Sequence, residues 1–387
     1  MSLWQRCKKG LLWSTCVVLS FHLGTQAVHT THAWYHAFFP SPIQRSFAKE
    51  FGYPLQGYDR EETNTVVRIA AVLHKERLEN HFLLDALYIR SSHYYQLPLD
   101  EQFFSIFGAG NDGYYCNSRI TLQSPIWRST VHHEIKHAKA AAIIAAHPEF
   151  AEKWNALAKD KNGQSLYFTT WEDLCYDYKG LRSFVREQNE DVDEKLGFVT
   201  SYARRNSDED MAETGEKAEM REDLFIPWLY TKPNPCIRAK IQLAEHYQLI
   251  PGYFSEYVFV LSHQEQQFME TSALFLKKYP RSVYEGSLRK DRGRVLEEKA
   301  QHLQVKEYAD QALAEYKRGL LAPYKDLDVY PALLENIAAC ASRWKDEKTA
   351  TIYKNALEEY QRRYSNNDIF LATDGITDYL HAQGEKF

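Results

Sequence analysis

The stretch TVHHEIKHAKAAAIIAAHPEF, residues 130–150, decides how the rest of the chain is read. It holds His133, Glu134 and His137 in the order H-E-x-x-H. On a helix, residues four apart stand one turn apart on the same face. Both imidazoles can then reach one metal ion. Glu134 points elsewhere on the turn, near such an ion but not on it, and can take a proton from a water that the metal has acidified. The run is helix-competent, with Thr130 as the expected N-cap and Pro148 at the expected end. Val131, Ile135, Ala138 and Ala142 form an apolar stripe expected to face the core. His132 points to another face and reads as a packing residue or a support for a ligand. With 15 His in 387 residues, chance produces this motif about once in twenty chains of similar composition, so the motif needs corroboration elsewhere.

A two-histidine zinc site takes a third protein ligand. NSDEDMAE, residues 206–213, is the stretch that offers one. A helix is expected to begin at Ser207, with Asp208, Glu209 and Asp210 in its first turn, where acids suit the positive end of the helix dipole. Glu209 and Glu213 are four apart on one face. Two such carboxylates repel by a few tenths of a kcal/mol on an isolated helix, and a nearby cation reverses that sign. The competing reading is an acidic helix start facing solvent. Asp208 and Asp210 are rival ligands, but neither has a carboxylate four residues on.

TVHHEIKHA followed by SYARRNSDEDMAE resembles the glutamate-type zincin metallopeptidases, the lethal-factor-like group above all. The likeness is carried by roughly residues 118–215. It implies that His133, His137 and Glu209 bind Zn2+, that Glu134 is the general base, and that Glu213 holds a ligand in place. It also implies that Tyr202, seven residues before Glu209, faces the substrate carbonyl and stabilises the oxyanion. The implied function is an exported zinc-dependent metallopeptidase that hydrolyses peptide bonds with a zinc-activated water. In such folds a strand edge beside the motif helix receives extended substrate, and NSRITLQ, residues 117–123, is the expected strand, binding by β-augmentation. One alternative is a non-catalytic protein-interaction module on a degenerate zincin scaffold. Such a scaffold loses its base or a ligand, whereas here Glu134 and a full ligand set persist. A hydrolase of non-peptide amides shares the same site.

The implied architecture is α+β: a mainly helical zincin-like domain with a small sheet over residues 34–255, then an all-α helical-repeat region over 262–387. The lead-in at 34–60 is aromatic and punctuated by Pro and Gly. EETNTVVRIAAVLHKERLENHFLLDALY is expected to be helical, and YYCNSRITLQSP to be a strand. A glycine turn is expected at KDKNGQS. In the C-terminal region LENIAACASRWKDEKTATIYKNALEEYQRRY resembles a tetratricopeptide repeat through Ala338, Ala350 and Ala356. It departs from the pattern by one residue between Ala350 and Ala356 and lacks the closing proline. A plain helical bundle is the alternative. This region is the expected site of any protein partner.

Residues 1–27 read as a signal peptide: a basic start at Arg6, Lys8 and Lys9, then a short apolar core, then small residues at Thr25 and Ala27. An N-terminal membrane anchor is the alternative. Removal of Cys7 and Cys16 with the signal leaves Cys116, Cys175, Cys236 and Cys340, whose pairing the spacing leaves open. The formal charge of −5 gives no basic footprint for nucleic acid. Aromatics at 14%, with 26 Tyr, make no single tyrosine notable by composition. GAGNDG at 108–113 fits a dinucleotide-binding pattern but leads into a strand-like run instead of a helix, and reads as a turn. His29, His32 and His36 read as a terminal cluster without a defined site.

Overall fold

The computed structural model describes residues 42–51, 55–56, 69–70, 72–73, 86–90, 113–116, 119–123, 128–168, 194–220, 224–324, 329–365 and 372–385. The signal-like segment, the terminal histidines and Cys175 lie outside these residues. The elements fall into two compact units, each described by itself.

The first unit contains helix α1 (Pro42–Phe51) and strands β1 (Leu55–Gln56), β2 (Ala86–Arg90), β3 (Gly113–Cys116) and β4 (Arg119–Gln123). The strands run in the order β1-β2-β4-β3. β1 and β2 are parallel, as are β2 and β4, whereas β3 and β4 are antiparallel. Two expectations are corrected here. The end of the stretch expected to be helical, residues 86–88, belongs to the strand Ala86–Arg90, whose Leu87 and Ile89 register with Ile120 and Leu122. NSRITLQ, read as the edge that accepts substrate, contains β4, which is hydrogen-bonded on both sides by β2 and β3. A strand paired on both sides offers no free backbone for augmentation.

The fold class is corrected too. The α+β reading gives way to an all-helical one, because helices make up most of the described residues. The strands, two to five residues long, do not amount to a layer of the architecture.

The second unit is helical: α2 (Arg128–Ala146, its first three residues falling in the first unit), α3 (Glu149–Leu157), α4 (Ser207–Met220), α5 (Pro235–His246), α6 (Phe254–Leu261), α7 (Glu265–Lys278), α8 (Glu285–Leu303), α9 (Lys306–Leu320), α10 (Val329–Arg343), α11 (Glu347–Ser365) and α12 (Ala372–Ala382). α2 begins at Arg128, two residues before the expected cap Thr130. Val131, Ile135 and Ala138 are buried as the stripe demands, but Ala142 is exposed. The buried face passes instead through Ala140, with Ile143 and Ile144 packed against the core. KDKNGQS is a turn in which Gly163 takes φ +79° and Asp160 Oδ1 accepts from the backbone N–H of Asn162 and Gln164 at 2.9 and 2.7 Å.

One apolar core runs from Ala140, Phe150 and Trp154 through Met211, Phe225, Ile237 and Phe254 to Phe268, Tyr284, Leu288 and Tyr324. Tyr257 and Tyr284 stack at 3.7 Å between ring centres. The expected boundary between residues 255 and 262 falls inside this core. A second core joins α8 to α12 around Tyr316, Tyr330, Leu334, Tyr353 and Leu380. There α10 and α11 form a helix pair across a short turn, with Ala356 fully buried. Asp346 Oδ1 caps α11 by accepting from Thr349 N at 3.1 Å. Cys236 and Cys340 are free thiols. Among the described residues no helix is long and apolar enough to cross a membrane.

Candidate metal centre

The site lies between α2 and α4, which are far apart in sequence and cross closely in space. Gly215 makes the crossing possible: a Cβ there would stand 2.8 Å from Lys136 Cγ and 2.9 Å from Cδ. Lys136, fully buried, is held by Glu219 Oε1 at 2.6 Å and by the carbonyl of Leu249 at 3.1 Å. The start of α4 is fixed by Asn206, whose Oδ1 accepts from the N–H groups of Asp208 and Glu209 at 3.0 and 2.9 Å. This side-chain cap satisfies donors that a helix start leaves without partners. The helix begins at Ser207 as expected, and its cap is Asn206, a role that the sequence did not single out.

His133, His137 and Glu209 converge. His133 Nε2 lies 3.0 Å from Glu209 Oε2 and 3.0 Å from His137 Nε2, and His137 Nε2 lies 3.2 Å from Glu209 Oε2. Three donor atoms at the corners of so small a triangle have too few protons to bond one another. A shared cation would resolve this. Tetrahedral zinc with bonds of about 2.0–2.1 Å sets its donor atoms about 3.3 Å apart, so these three atoms fit that ion after adjustments of a few tenths of an ångström.

The rival acids are committed elsewhere. Asp208 is exposed. Asp210 is fully buried, and its Oδ2 takes Lys240 Nζ at 2.7 Å, Trp154 Nε1 at 2.9 Å and the Tyr167 hydroxyl at 3.1 Å. Those contacts tie α4 to α3 and α5.

His133 Nδ1 faces the other way, 3.2 Å from Glu213 Oε1 and 3.3 Å from Glu216 Oε2. A neutral imidazole carries one N–H and one lone pair. With its Nδ1–H given to these carboxylates, the lone pair of Nε2 points at His137 and Glu209. Glu213, placed by resemblance, is thus joined by Glu216, which sequence reasoning missed. Thr200 was missed as well: its hydroxyl donates to Glu213 Oε2 at 2.6 Å. Its loop leaves Gly197 at φ +88°, where a Cβ would collide with Cys236 Sγ.

The electrostatics call for positive charge. Burial alone would lower the pKa of His133, but its contacts with Glu209, Glu213 and Glu216 outweigh burial and raise it well above the usual value. Burial would raise Glu209, yet its contacts with the imidazoles of His133 and His137 hold it far below the usual carboxylate range. Glu213 is lowered against its burial by His133 and Lys217.

Glu134 differs from all of these. It is buried and pushed up to about 7, first by burial, against the pull of His133 and His137. Among the described residues its Oε2 has no hydrogen-bond partner. Tyr202 lies with its ring centre 5.8 Å from that of His133, and its hydroxyl accepts from Arg205 Nη1 at 3.4 Å. Burial, and then the charge of Glu209, raise its pKa, so it stays protonated and able to donate.

Comparison with protein-family models, curated proteins and solved structures returned no match. The functional reading therefore stands on the residues and their geometry.

Proposed function

We propose that this chain is an exported, zinc-dependent metallopeptidase. The observation that carries the proposal is the convergence of His133 Nε2, His137 Nε2 and Glu209 Oε2 within 3.2 Å of one another, beside a buried Glu134 oxygen that meets no partner among the described residues. An unpaired buried carboxylate oxygen is costly, and here it stands beside the three converging ligand atoms. A general base needs one that is free to meet the substrate water.

The chemistry that a zinc ion supplies when held there is Lewis acidity, which acidifies a water and polarises a carbonyl. His133, His137 and Glu209 would hold the ion. Glu134 receives the water's proton at Oε2 as general base. Tyr202, kept protonated, donates to the charge that develops on the carbonyl oxygen. Glu213 fixes the ring of His133.

The test is Glu134→Gln. Zinc content is expected to stay as in the wild type, while kcat/KM on a peptide library falls by about 10²–10⁴-fold, the usual contribution of a general base. Cleavage of ester and amide panels but not peptides would redirect the assignment to another hydrolase. Zinc bound without any hydrolysis would favour the interaction-module reading.

A further inference from the structure

We propose that Glu216 is a second positioning residue for His133, so that this ligand is oriented by two carboxylates and not one. The inference rests on the zinc reading above and goes beyond it, since neither the motif nor the resemblance assigns Glu216 a role.

Nδ1 of His133 lies almost equally far from Glu213 Oε1, at 3.2 Å, and Glu216 Oε2, at 3.3 Å. Both carboxylates are buried, and each is anchored by its far oxygen. Glu213 Oε2 accepts from Thr200 at 2.6 Å, and Glu216 Oε1 accepts from Lys217 Nζ at 2.9 Å. The two near oxygens are therefore both held within reach of one N–H.

His133, Glu213 and Glu216 also lie close enough to suggest a second cation site. The far-oxygen anchors and the single N–H assign them instead as acceptors for the ring. A braced pair of acceptors holds the tautomer with its lone pair on Nε2 and makes that nitrogen more electron-rich. Two acids side by side are eased by positive charge that faces them. Lys217 supplies part of it, and the ion that His133 holds would supply the rest.

The test uses the full chain with Glu216→Gln, Glu213→Gln and the double variant, titrated with zinc against a competing chelator. Glu216→Gln is expected to weaken zinc binding by roughly 10–100-fold, the usual effect of losing such a partner. The double variant should be weaker than either single one. The Nδ1–H proton resonance of His133 in the zinc-loaded protein should also move upfield in Glu216→Gln.

A merely structural role would lower the melting temperature of the metal-free protein and leave zinc affinity and that resonance unchanged. That result overturns the inference while keeping the zinc site. If Glu216→Gln does not fold, Glu216→Asp, which retracts the carboxylate by one methylene, is read in the same way: weaker zinc binding supports the proposal and unchanged binding overturns it. A wild-type chain that binds no zinc overturns the underlying reading and this inference together.

Discussion

Gly215 is the residue on which the distance between α2 and α4 depends. Its missing Cβ leaves room for the Lys136 stem, and Lys136 cannot swing aside, because Glu219 and the Leu249 carbonyl hold its ammonium. Gly215→Ala gains about 1 kcal/mol of helix propensity but overpacks a site where strain costs about 1–3 kcal/mol. We expect a net loss of about 1 kcal/mol in urea unfolding, with weaker zinc binding because His133 and Glu209 are pushed apart. A stability equal to or above that of the wild type would show that the crossing has slack. At this scale His133 and His137 were legible, because a spacing of four puts both on one face, and Glu134 was legible as the residue beside the first of them. Glu209 was legible through its partner four residues on. Glu216 and Thr200 were not. In the sequence, Glu216 is one more acid in a helix that reads as solvent-facing. Only the crossing of α2 buries it and turns an ordinary acid into a contact of His133.

Among the elements, α4 shows how far burial can depart from composition. SDEDMAETGEKAEM reads as polar on every side, yet residues 210–216, 218 and 219 are buried. Each buried charge is answered by a specific partner: Asp210 by Lys240, Glu213 and Glu216 by His133, and Glu219 by Lys136. The N-terminus of this helix carries Glu209 one turn from the Asn206 cap. Asn206→Ala is expected to cost about 1 kcal/mol of stability, the usual loss for such a cap. It should also weaken zinc binding while leaving Glu134 in place. A thermal midpoint indistinguishable from wild type would mean that α4 is fixed by its buried charges alone. The strand Ala86–Arg90 was misread because a short apolar run has no period long enough to separate strand from helix. Its parallel pairing with Arg119–Gln123 is a long-range fact that no local window contains.

At the scale of the helical unit, the continuous core from Ala140 to Tyr324 binds the site to the helices that follow it. A chain cut after Leu261 would leave Phe254, Tyr257 and Val258 without Phe268, Phe275, Tyr284 and Leu288. We expect it to bind hydrophobic dye and to be digested rapidly by trypsin, whereas a compact, resistant fragment would place a domain boundary there after all. The sequence suggested such a boundary because helical character becomes uninterrupted near residue 262. Composition records that change, but it does not record which helices share a core.

Farther along, Glu315 joins Arg289 and Arg292 at 2.9 and 3.3 Å. Burial opposes its charge, but the two guanidinium groups outweigh burial and lower its pKa. A carboxyl lowered on folding stabilises the protein above its unfolded value of about 4.3, and that stabilisation is lost as the pH falls through the folded value. The destabilisation caused by Glu315→Gln should therefore be largest at neutral pH and shrink in acid. A gap that stays constant with pH would assign the effect to packing.

The central claim is that His133, His137 and Glu209 form one zinc site, and metal content tests it most directly. Zinc is to be measured in the purified wild-type chain beside His137→Ala and Glu209→Ala, with circular dichroism to establish that each is folded. About one zinc per wild-type chain, falling sharply in both variants, is the expected result for a site with this ligand set. A folded wild-type chain that holds no zinc even after incubation with the metal would contradict the account.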